Sequence, residues 1–313
     1  MAPPTAFVTS ATGTQGSAVA RHLRSLGWSV HATSRNPSSA DAQALTAIGV
    51  RVTPGSWDDE PVLESSIAGC QFLFLNLFPD LNDASRELTQ AKTILRIAKA
   101  TTTIQHVVYS GAFHVTALLP DYPSNHWSTP LHQSKQTIPS IIQSSGFQYW
   151  THLQPGYFMA NLLDPKVHFH FKSASETGIF AAGYLPSTLL PLIDHEDIAS
   201  FVVSAFQNPE KFHGKNITFA GQLLPFEKTI ELLGKAASRN LRVEYLSDAE
   251  IAQAALSGEN FMPEIQKFTR RMAELVDVEE SKAWGVQLGT FQAFLDREAD
   301  AVKATFANVP VGA

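Results

Sequence analysis

The sequence predicts an α/β protein with a doubly wound parallel sheet, because apolar strand-like runs alternate with helix-patterned segments. The first helix is well marked, since Val19, Leu23 and Leu26 fall on one face and Gly27 follows as its end. Short, nearly continuous apolar strands are typical of a parallel sheet covered by helices on both faces. The strand-like runs of the first half lie at residues 6–10, 29–34, 50–53, 72–77, 105–110 and 149–153.

The alternation weakens after Pro155, which predicts two parts. The first covers residues 1–154, and residues 192–220 return to it with a helix that opens on acidic residues and a late strand at 217–219. A smaller C-terminal α/β lobe is expected from residues 155–191 and 221–313, where proline, glycine and aromatic residues are frequent at first.

Composition excludes several classes of function. With 44% hydrophobic and 17% charged residues the chain resembles an ordinary globular protein, and no apolar run reaches the ~18 residues of a membrane span. A net charge of −6 without a Lys/Arg cluster argues against nucleic-acid binding. The first residues lack a secretory pattern, so we expect a cytoplasmic protein. Cys70, the single cysteine, excludes an internal disulfide and is expected to be buried.

The first strand runs into a glycine turn with the sequence TSATGTQG at residues 9–16, and a helix follows. Gly13 and Gly16 allow bare backbone to approach a phosphate, and the free N–H groups of the helix point at the anion. Ser10 stands where a fuller glycine pattern would begin. The pattern predicts a dinucleotide pyrophosphate site of the Rossmann type.

Arg35 decides which dinucleotide is expected. It ends the second strand about 20 residues beyond the glycines, where an NAD-specific domain would place an acid against the ribose 2′-hydroxyl. A guanidinium pairs with a 2′-phosphate instead, which favours NADP over NAD. The alternative is a surface arginine before the loop at 36–39.

Six segments in order resemble the NmrA-like family, a branch of the atypical short-chain dehydrogenase/reductases. They are ATGTQGSAVARHL (11–23), ATSRNP (32–37), HVVYSG (106–111), LHQSK (131–135), PGYFMANL (155–162) and LIDHEDIASFV (192–202), and GTFQAFL (289–295) is similar to the closing segment of such proteins. The resemblance implies a Rossmann fold, a small C-terminal substrate lobe and bound NADP(H).

The resemblance also implies which residues hold the cofactor. Asp58 is expected near adenine, with Ser56 and Trp57 beside it, in a stretch where relatives usually have Gly-Asp. The other implied cofactor residues are Ser10, Thr12, Gly13, Thr14, Gln15 and Gly16 around the pyrophosphate, Arg35 at the 2′-phosphate, Asn76, Leu77 and Phe78 beside the cofactor, Ser110 and Lys135 at the nicotinamide ribose, and Pro155, Gly156, Tyr157, Phe158 and Asn161 over the ring.

The role of Lys135 distinguishes an enzyme from a nucleotide sensor. Short-chain dehydrogenases pair a tyrosine acid with a lysine four residues later, on one helix face, but Leu131 occupies the tyrosine position here. Lys135 can still hold the ribose, as a binding residue or, if desolvated, as the acid itself. The replacement acids are Ser110, Tyr157 and the histidines His114, His126 and His132. Hydride transfer to a cationic acceptor such as an iminium would need no acid.

Two further patterns lie in the C-terminal part. His168 and His170 would share a face if extended, but no third ligand is evident, so no metal site is expected. Dense aromatic residues between positions 113 and 184 favour a pocket for a flat, apolar substrate.

Two functions follow. The first is an NADPH-dependent reductase of an apolar small molecule with an imine, iminium or conjugated carbonyl group, which the resemblance associates with fungal secondary metabolism and cyclisation. The second is a non-catalytic NADP(H)-responsive regulator that binds a protein partner, for which the missing tyrosine and the acidic surface speak.

Overall fold

The computed structural model describes residues 2–256 and 260–311. Its strands are β1 (Thr5–Val8), β2 (Ser29–Ser34), β3 (Arg51–Pro54), β4 (Phe72–Leu75), β5 (His106–Ser110), β6 (Tyr149–Pro155), β7 (Tyr157–Phe158), β8 (Ile179–Ala182), β9 (Leu189–Ile193), β10 (Lys215–Phe219), β11 (Gln222–Pro225) and β12 (Arg242–Tyr245).

Helices connect most of these strands. They are α1 (Thr14–Ser25), α2 (Ala40–Ala47), α3 (Glu60–Ile67), α4 (Arg86–Ala100), α5 (Val115–Leu118), α6 (Thr129–Ser144), α7 (Val167–His170), α8 (Ala174–Thr177), α9 (His195–Gln207), α10 (Pro209–Phe212), α11 (Phe226–Ala237), α12 (Asp248–Leu256), α13 (Met262–Phe268), α14 (Val278–Ala283), α15 (Phe291–Arg297) and α16 (Ala299–Thr305), with 3₁₀ turns at Leu119–Asp121, Met159–Leu162 and Met272–Leu275.

The described chain divides into two compact units. The first comprises the residues up to Pro155 together with His195–Thr218. The second comprises Gly156–Asp194 together with the residues from Phe219 onward. Across the described ranges, no helix has both the length and the hydropathy needed to cross a bilayer.

The first unit is built on a seven-stranded sheet with the order β10-β6-β5-β4-β1-β2-β3. The pairs β1–β2, β1–β4, β2–β3, β4–β5 and β5–β6 are all parallel. The strand order reverses at β1, which lies between β2 and β4, and such a reversal opens a crevice at the carboxyl ends of the strands. The predicted doubly wound parallel sheet is therefore confirmed.

Apolar side chains of the sheet pack against α3, α4 and α6 to form a core. Its fully buried members include Phe7, Leu73, Leu75, Ile94 and Ile138. Cys70 is buried in the same core, as expected, and burial raises the pKa of its thiol to about 12. The six predicted strands of the first half are confirmed within a few residues at each end, as are the late strand at β10 and the helix that opens on acidic residues at α9.

The second unit has a three-stranded sheet with the order β11-β9-β7 and a parallel pair of β12 and β8. Aromatic rings fill its interior: the rings of Phe171 and Phe226 stack with centroids 5.4 Å apart, and Phe180 meets Phe171 edge-on at 5.0 Å. The extended conformation considered for residues 168–170 is wrong, because His168 and His170 lie in the single helical turn α7. Residues two apart do not share a helix face.

Candidate functional site

The turn between β1 and α1 presents the amino end of a helix at the strand ends. Gly13 is the N-cap residue, and its N–H donates to the carbonyl of Ser10 at 2.8 Å. The first turn of α1 contains no acidic side chain, and Gly13 itself is exposed. Thr12, Thr14 and Gln15 are half-buried around it. The amino end of α1, where the helix dipole is positive, therefore suits an anion.

Gly16 is required by packing inside the turn. A Cβ at this position would lie 2.2 Å from the carbonyl oxygen of Ser10 and 2.8 Å from that of Thr9. At Gly13 the nearest atom to an added Cβ is the Ser10 oxygen at 3.3 Å, and its φ of −95° suits any residue. The two glycines thus have different roles: Gly16 lets the helix approach the turn, and Gly13 leaves the start of the helix without a side chain.

Ser10 takes the left-handed conformation that the missing glycine would adopt, with φ of 48°. Its hydroxyl donates to the carbonyl oxygen of Asn76 at 2.9 Å. The N–H of Asn76 in turn donates to the buried hydroxyl of Thr9 at 2.7 Å. Sequence reasoning missed Thr9, although a hydroxyl residue at the end of an apolar strand is the signal for such a tie between strand ends.

Three further polar side chains meet above β1, β4 and β5. The hydroxyl of Ser110 donates to Gln15 Oε1 at 2.7 Å, and Gln15 Nε2 lies 3.5 Å from Asn76 Oδ1. Each residue is among those the resemblance assigns to the cofactor, and the structure brings all three together. We call Gly13, Gln15, Asn76, Ser110 and Lys135 the strand-end site.

Lys135 reaches this region from α6 and is held by two oxygens. Its ammonium donates to the carbonyl oxygen of Leu77 at 2.8 Å and lies 2.5 Å from Glu87 Oε1. The side chain of Glu87 is 1% exposed and that of Lys135 is 13% exposed. Burial raises the pKa of Glu87, while the adjacent ammonium opposes that rise. Phe78, next to Leu77, is 73% exposed.

Sequence reasoning also missed Glu87. The signal was available, because Glu87 lies in phase with Ala91, Ile94 and Ala98 on the buried face of α4. An acid on an apolar helix face needs a cation as partner. The buried pair therefore ties α4 to α6 beneath the strand ends.

Tyr109 and His152 lie beside Glu87 and Lys135. Burial and the charge of Glu87 raise the pKa of Tyr109 well above its usual range. Its ring stacks on His152 with centroids 5.2 Å apart, and burial lowers the pKa of His152 to about 4. Because of these pKa shifts, the rings of Tyr109 and His152 are both uncharged at neutral pH. A Cβ at Gly111 would lie 2.4 Å from His152 Nε2, so the absence of a side chain there leaves room for the His152 ring.

The position four residues before Lys135 offers no acid, because Leu131 is a buried apolar residue on α6. Burial lowers the pKa of the neighbouring His132 to about 4, so it is also neutral. His126 Nδ1 lies 2.7 Å from the hydroxyl of Ser128. His114 Nε2 lies 2.8 Å from the hydroxyl of Thr218. His114 and His126 are thus each bonded to a nearby hydroxyl group, and burial disfavours the protonated form that His132 would need as an acid.

The two residues expected around adenosine differ in their surroundings. Arg35 follows β2, is exposed, and has no ion-pair partner among the residues described. Asp58 is also exposed, but its carboxylate accepts from Gln90 at 2.9 Å and from Arg86 at 2.6 Å, and both bonds lower its pKa. Asp58 therefore already anchors α4. The indole N–H of Trp57 donates to the hydroxyl of Thr33 at 3.1 Å.

Tyr157 is a core residue of the second unit. It lies in β7, which pairs with β9, rather than on an open loop, and its hydroxyl is buried with Asn161 as neighbour. Burial raises the pKa of Tyr157 well above its usual range. A Cβ on the preceding Gly156 would lie 2.2 Å from the carbonyl oxygen of Pro191. Phe158 is half-buried, and Pro155 ends β6 in the first unit.

The described histidines of the second unit do not lie in a cluster of metal ligands. Within the described ranges, no group of three or more His, Cys, Asp or Glu side chains is arranged to hold a metal ion. His168 Nε2 pairs with Asp164 at 2.9 Å instead.

The chain is similar in sequence to proteins named as oxidoreductases. It is 29% identical over 264 residues to the NAD(P)H azoreductase of Xenophilus azovorans, covering 82% of each chain. It is 30% identical over 161 residues to the NmrA-like family domain-containing oxidoreductase himF of Aspergillus japonicus, and this match covers 50% of the chain and about half, 47%, of himF.

Solved structures share the fold. NmrA, a negative transcriptional regulator in complex with NAD, matches with a TM-score of 0.74 at 19% identity, covering 96% of this chain and 98% of that one. The NADPH-dependent quinone oxidoreductase QOR2 of Escherichia coli, complexed with NADPH, matches with a TM-score of 0.71 at 21% identity, covering 94% and 99%. The model of the NmrA-like family matches residues 4–295. The chain therefore belongs to the NmrA-like family.

Proposed function

We propose that this protein binds NADP(H) at the strand-end site and reduces an apolar small molecule that carries an imine, iminium or conjugated carbonyl group. The observation that carries the proposal is that Lys135 is fixed in the site while the usual tyrosine acid is absent. Lys135 is fixed by Leu77 and Glu87, whereas Leu131 replaces the tyrosine that would protonate a simple ketone.

The residues of the first unit fit a dinucleotide phosphate. The amino end of α1, which begins at the side-chain-free and exposed Gly13, suits a pyrophosphate. The exposed guanidinium of Arg35 is available to a 2′-phosphate. The names of the azoreductase and of QOR2, which include NAD(P)H and NADPH, support the same nucleotide class.

When bound, the nicotinamide supplies a hydride. The side chains of this site would bind and orient rather than donate protons, because Ser110 and Lys135 already hold defined partners. An iminium becomes a neutral amine on hydride transfer, and a reduced conjugated carbonyl takes its proton from water. We assign the second unit, which the resemblance implies to be the substrate lobe, to binding the apolar acceptor. We further propose a role in fungal secondary metabolism, where such reduction accompanies cyclisation.

The test is anaerobic incubation of the protein with NADPH and a panel of imines, iminium salts and enones, while the loss of nicotinamide absorbance is followed. Turnover is expected with at least one acceptor. If no acceptor oxidises NADPH, the reductase proposal is wrong.

Cofactor choice has its own test. Arg35→Ala is expected to weaken NADPH about tenfold or more and to leave NADH unchanged, because only NADPH carries the 2′-phosphate. Arg242→Ala, at an exposed arginine of the second unit, is the matched control and should change neither affinity. An unchanged NADPH/NADH affinity ratio in Arg35→Ala would remove the 2′-phosphate assignment.

A regulator that senses NADP(H) is the second candidate. The likeness to NmrA and the missing tyrosine favour it. In this case NADPH would bind without being oxidised by any acceptor of the panel, and the bound nucleotide would change the affinity for a protein partner.

A further inference from the structure

The charge of the strand-end site depends on one buried carboxylate. Glu87 lies on the core-facing side of α4, where an unpaired charge would be costly. Its ion-pair partner is Lys135, whose ammonium lies 2.5 Å from Glu87 Oε1. The pair as a whole carries no net charge.

The neighbouring titratable groups that face Lys135 and Glu87 add no further charge to the site. They come from three elements: Tyr109 from β5, His132 from α6 and His152 from β6. Burial lowers the pKa of each histidine to about 4 and raises the pKa of Tyr109, so all three are uncharged at neutral pH. Lys135 is therefore the single cation of this group, and Glu87 cancels it.

We propose that Glu87 makes the site selective for a positively charged acceptor by cancelling the charge of Lys135. Glu87 is then a specificity-determining residue that acts through Lys135 and touches no reacting atom. The inference rests on the proposed function and deepens it by naming the charge of the acceptor.

The chemistry of such an acceptor agrees with the missing acid. In an iminium ion the hydride forms a new C–H bond, the π pair of the C=N bond moves onto nitrogen, and NADPH is oxidised to NADP⁺. The positive charge on nitrogen disappears, so the step needs no proton from the protein. Leu131 at the tyrosine position supplies no proton, which suits this reaction better than the reduction of a simple ketone, whose alkoxide must be protonated.

The size of the effect follows from Coulomb's law. A unit positive charge about 8 Å from a cationic acceptor disfavours it roughly 30-fold at an effective dielectric constant of about 20. Screening by water around the partly exposed lysine reduces this factor, so a change of about tenfold is expected when Glu87 is neutralised. A neutral acceptor should respond far less.

The experiment compares a cationic with a neutral acceptor at saturating NADPH. The probes are an N-methyl dihydroisoquinolinium salt and a naphthoquinone, and the measured quantity is the ratio of their kcat/KM values. Glu87→Gln is expected to lower this ratio about tenfold. Glu87→Asp, which keeps the charge, should retain most of it, and Glu64→Gln, an exposed control on α3, should not change it. Circular dichroism checks that each variant is folded.

A second variant tests the same idea when Glu87→Gln does not fold. The double variant Lys135→Met/Glu87→Met removes both charges at once, so its ratio should stay near the wild-type value. An unchanged ratio in Glu87→Gln, or a ratio about tenfold lower in the double variant, overturns the role of Glu87. That outcome is distinct from failure of the proposed function, in which the wild-type protein reduces no acceptor at all.

Discussion

The two units handle polar groups in different ways. In the first, charged and polar side chains are buried but paired, as Glu87 is with Lys135 and Ser110 is with Gln15. The second unit also has one such pair, Asp194 with Arg297, but stacked rings such as Phe171 and Phe226 fill its interior, and the hydroxyl of Tyr157 is enclosed there. Paired polar groups at strand ends are the usual mark of a binding site in a parallel sheet, whereas an aromatic interior is explained by packing.

This comparison changes which residues are of chemical interest. Tyr157 carries a hydroxyl and Glu87 lies far from any recognised motif, so the sequence favours Tyr157. The structure favours Glu87, because it contacts the ammonium of Lys135. Four measurements test the contrast between the units.

The largest effect is expected from Lys135→Met. The substitution leaves Glu87 buried without its cation, which costs about 3–5 kcal/mol of the free energy of unfolding. Urea denaturation measures the loss. The double variant Lys135→Met/Glu87→Met should recover most of it, because no charge is then left unpaired. If the single and double variants are equally stable, the pair does not hold α4 and α6 together.

Acid should weaken the first unit more than the second. Burial lowers the pKa to about 3 for His106 and to about 4 for His132 and His152 of the first unit, whereas among the described residues of the second unit only His170 has such a value. Each group takes a proton on unfolding below its unfolded pKa of about 6.5, so stability is complete above that pH and falls as the pH decreases towards 4.

Lowering the pH by one unit below about 6.5 reduces the free energy of unfolding by up to about 1.4 kcal/mol per buried histidine. The expected loss is roughly 3–4 kcal/mol for the three histidines of the first unit and about 1 kcal/mol for His170 of the second. Hydrogen exchange, corrected for intrinsic rates and compared at about pH 7 and about pH 5.5, resolves the two units. Equal loss of protection in both would contradict the expectation.

Two glycines offer a matched pair, one in each unit. An added Cβ would lie 2.2 Å from a backbone oxygen at Gly16 and 1.9 Å from that of Pro263 at Gly183. Backbone cannot move aside as a side chain can, so each alanine variant should lose about 2–3 kcal/mol of stability. Only Gly16→Ala should also weaken NADPH, as measured by fluorescence titration. A comparable loss of NADPH affinity in Gly183→Ala would argue against a nucleotide site confined to the first unit.

The smallest effect is expected from Tyr157→Phe. Removal of a buried hydroxyl that serves as no acid should change stability by less than about 1 kcal/mol and turnover by less than about twofold. Ser110→Ala, which releases Gln15, should lower kcat/KM about tenfold instead. A hundredfold fall in Tyr157→Phe would restore Tyr157 as the proton donor.

Much of the first unit could be predicted from the sequence. Short apolar runs predict its strands, and the glycine turn predicts the start of α1. Prediction was weaker in the second unit, where residues 168–170 were considered as extended but form a helical turn. A four-residue segment contains too few positions for a period of two to be told from one of 3.6.

The sequence by itself determined the parallel sheet, the family segments and the absence of an acid at Leu131, because periodicity and residue identity are local properties of the chain. Only the tertiary structure decided that Asp58 is bound to Arg86, that Ser10 is left-handed and tied to Asn76, and that Glu87 cancels Lys135. Glu87 and Lys135 are 48 positions apart and on different helices, and only folding of α4 and α6 onto one sheet places their charges 2.5 Å from each other.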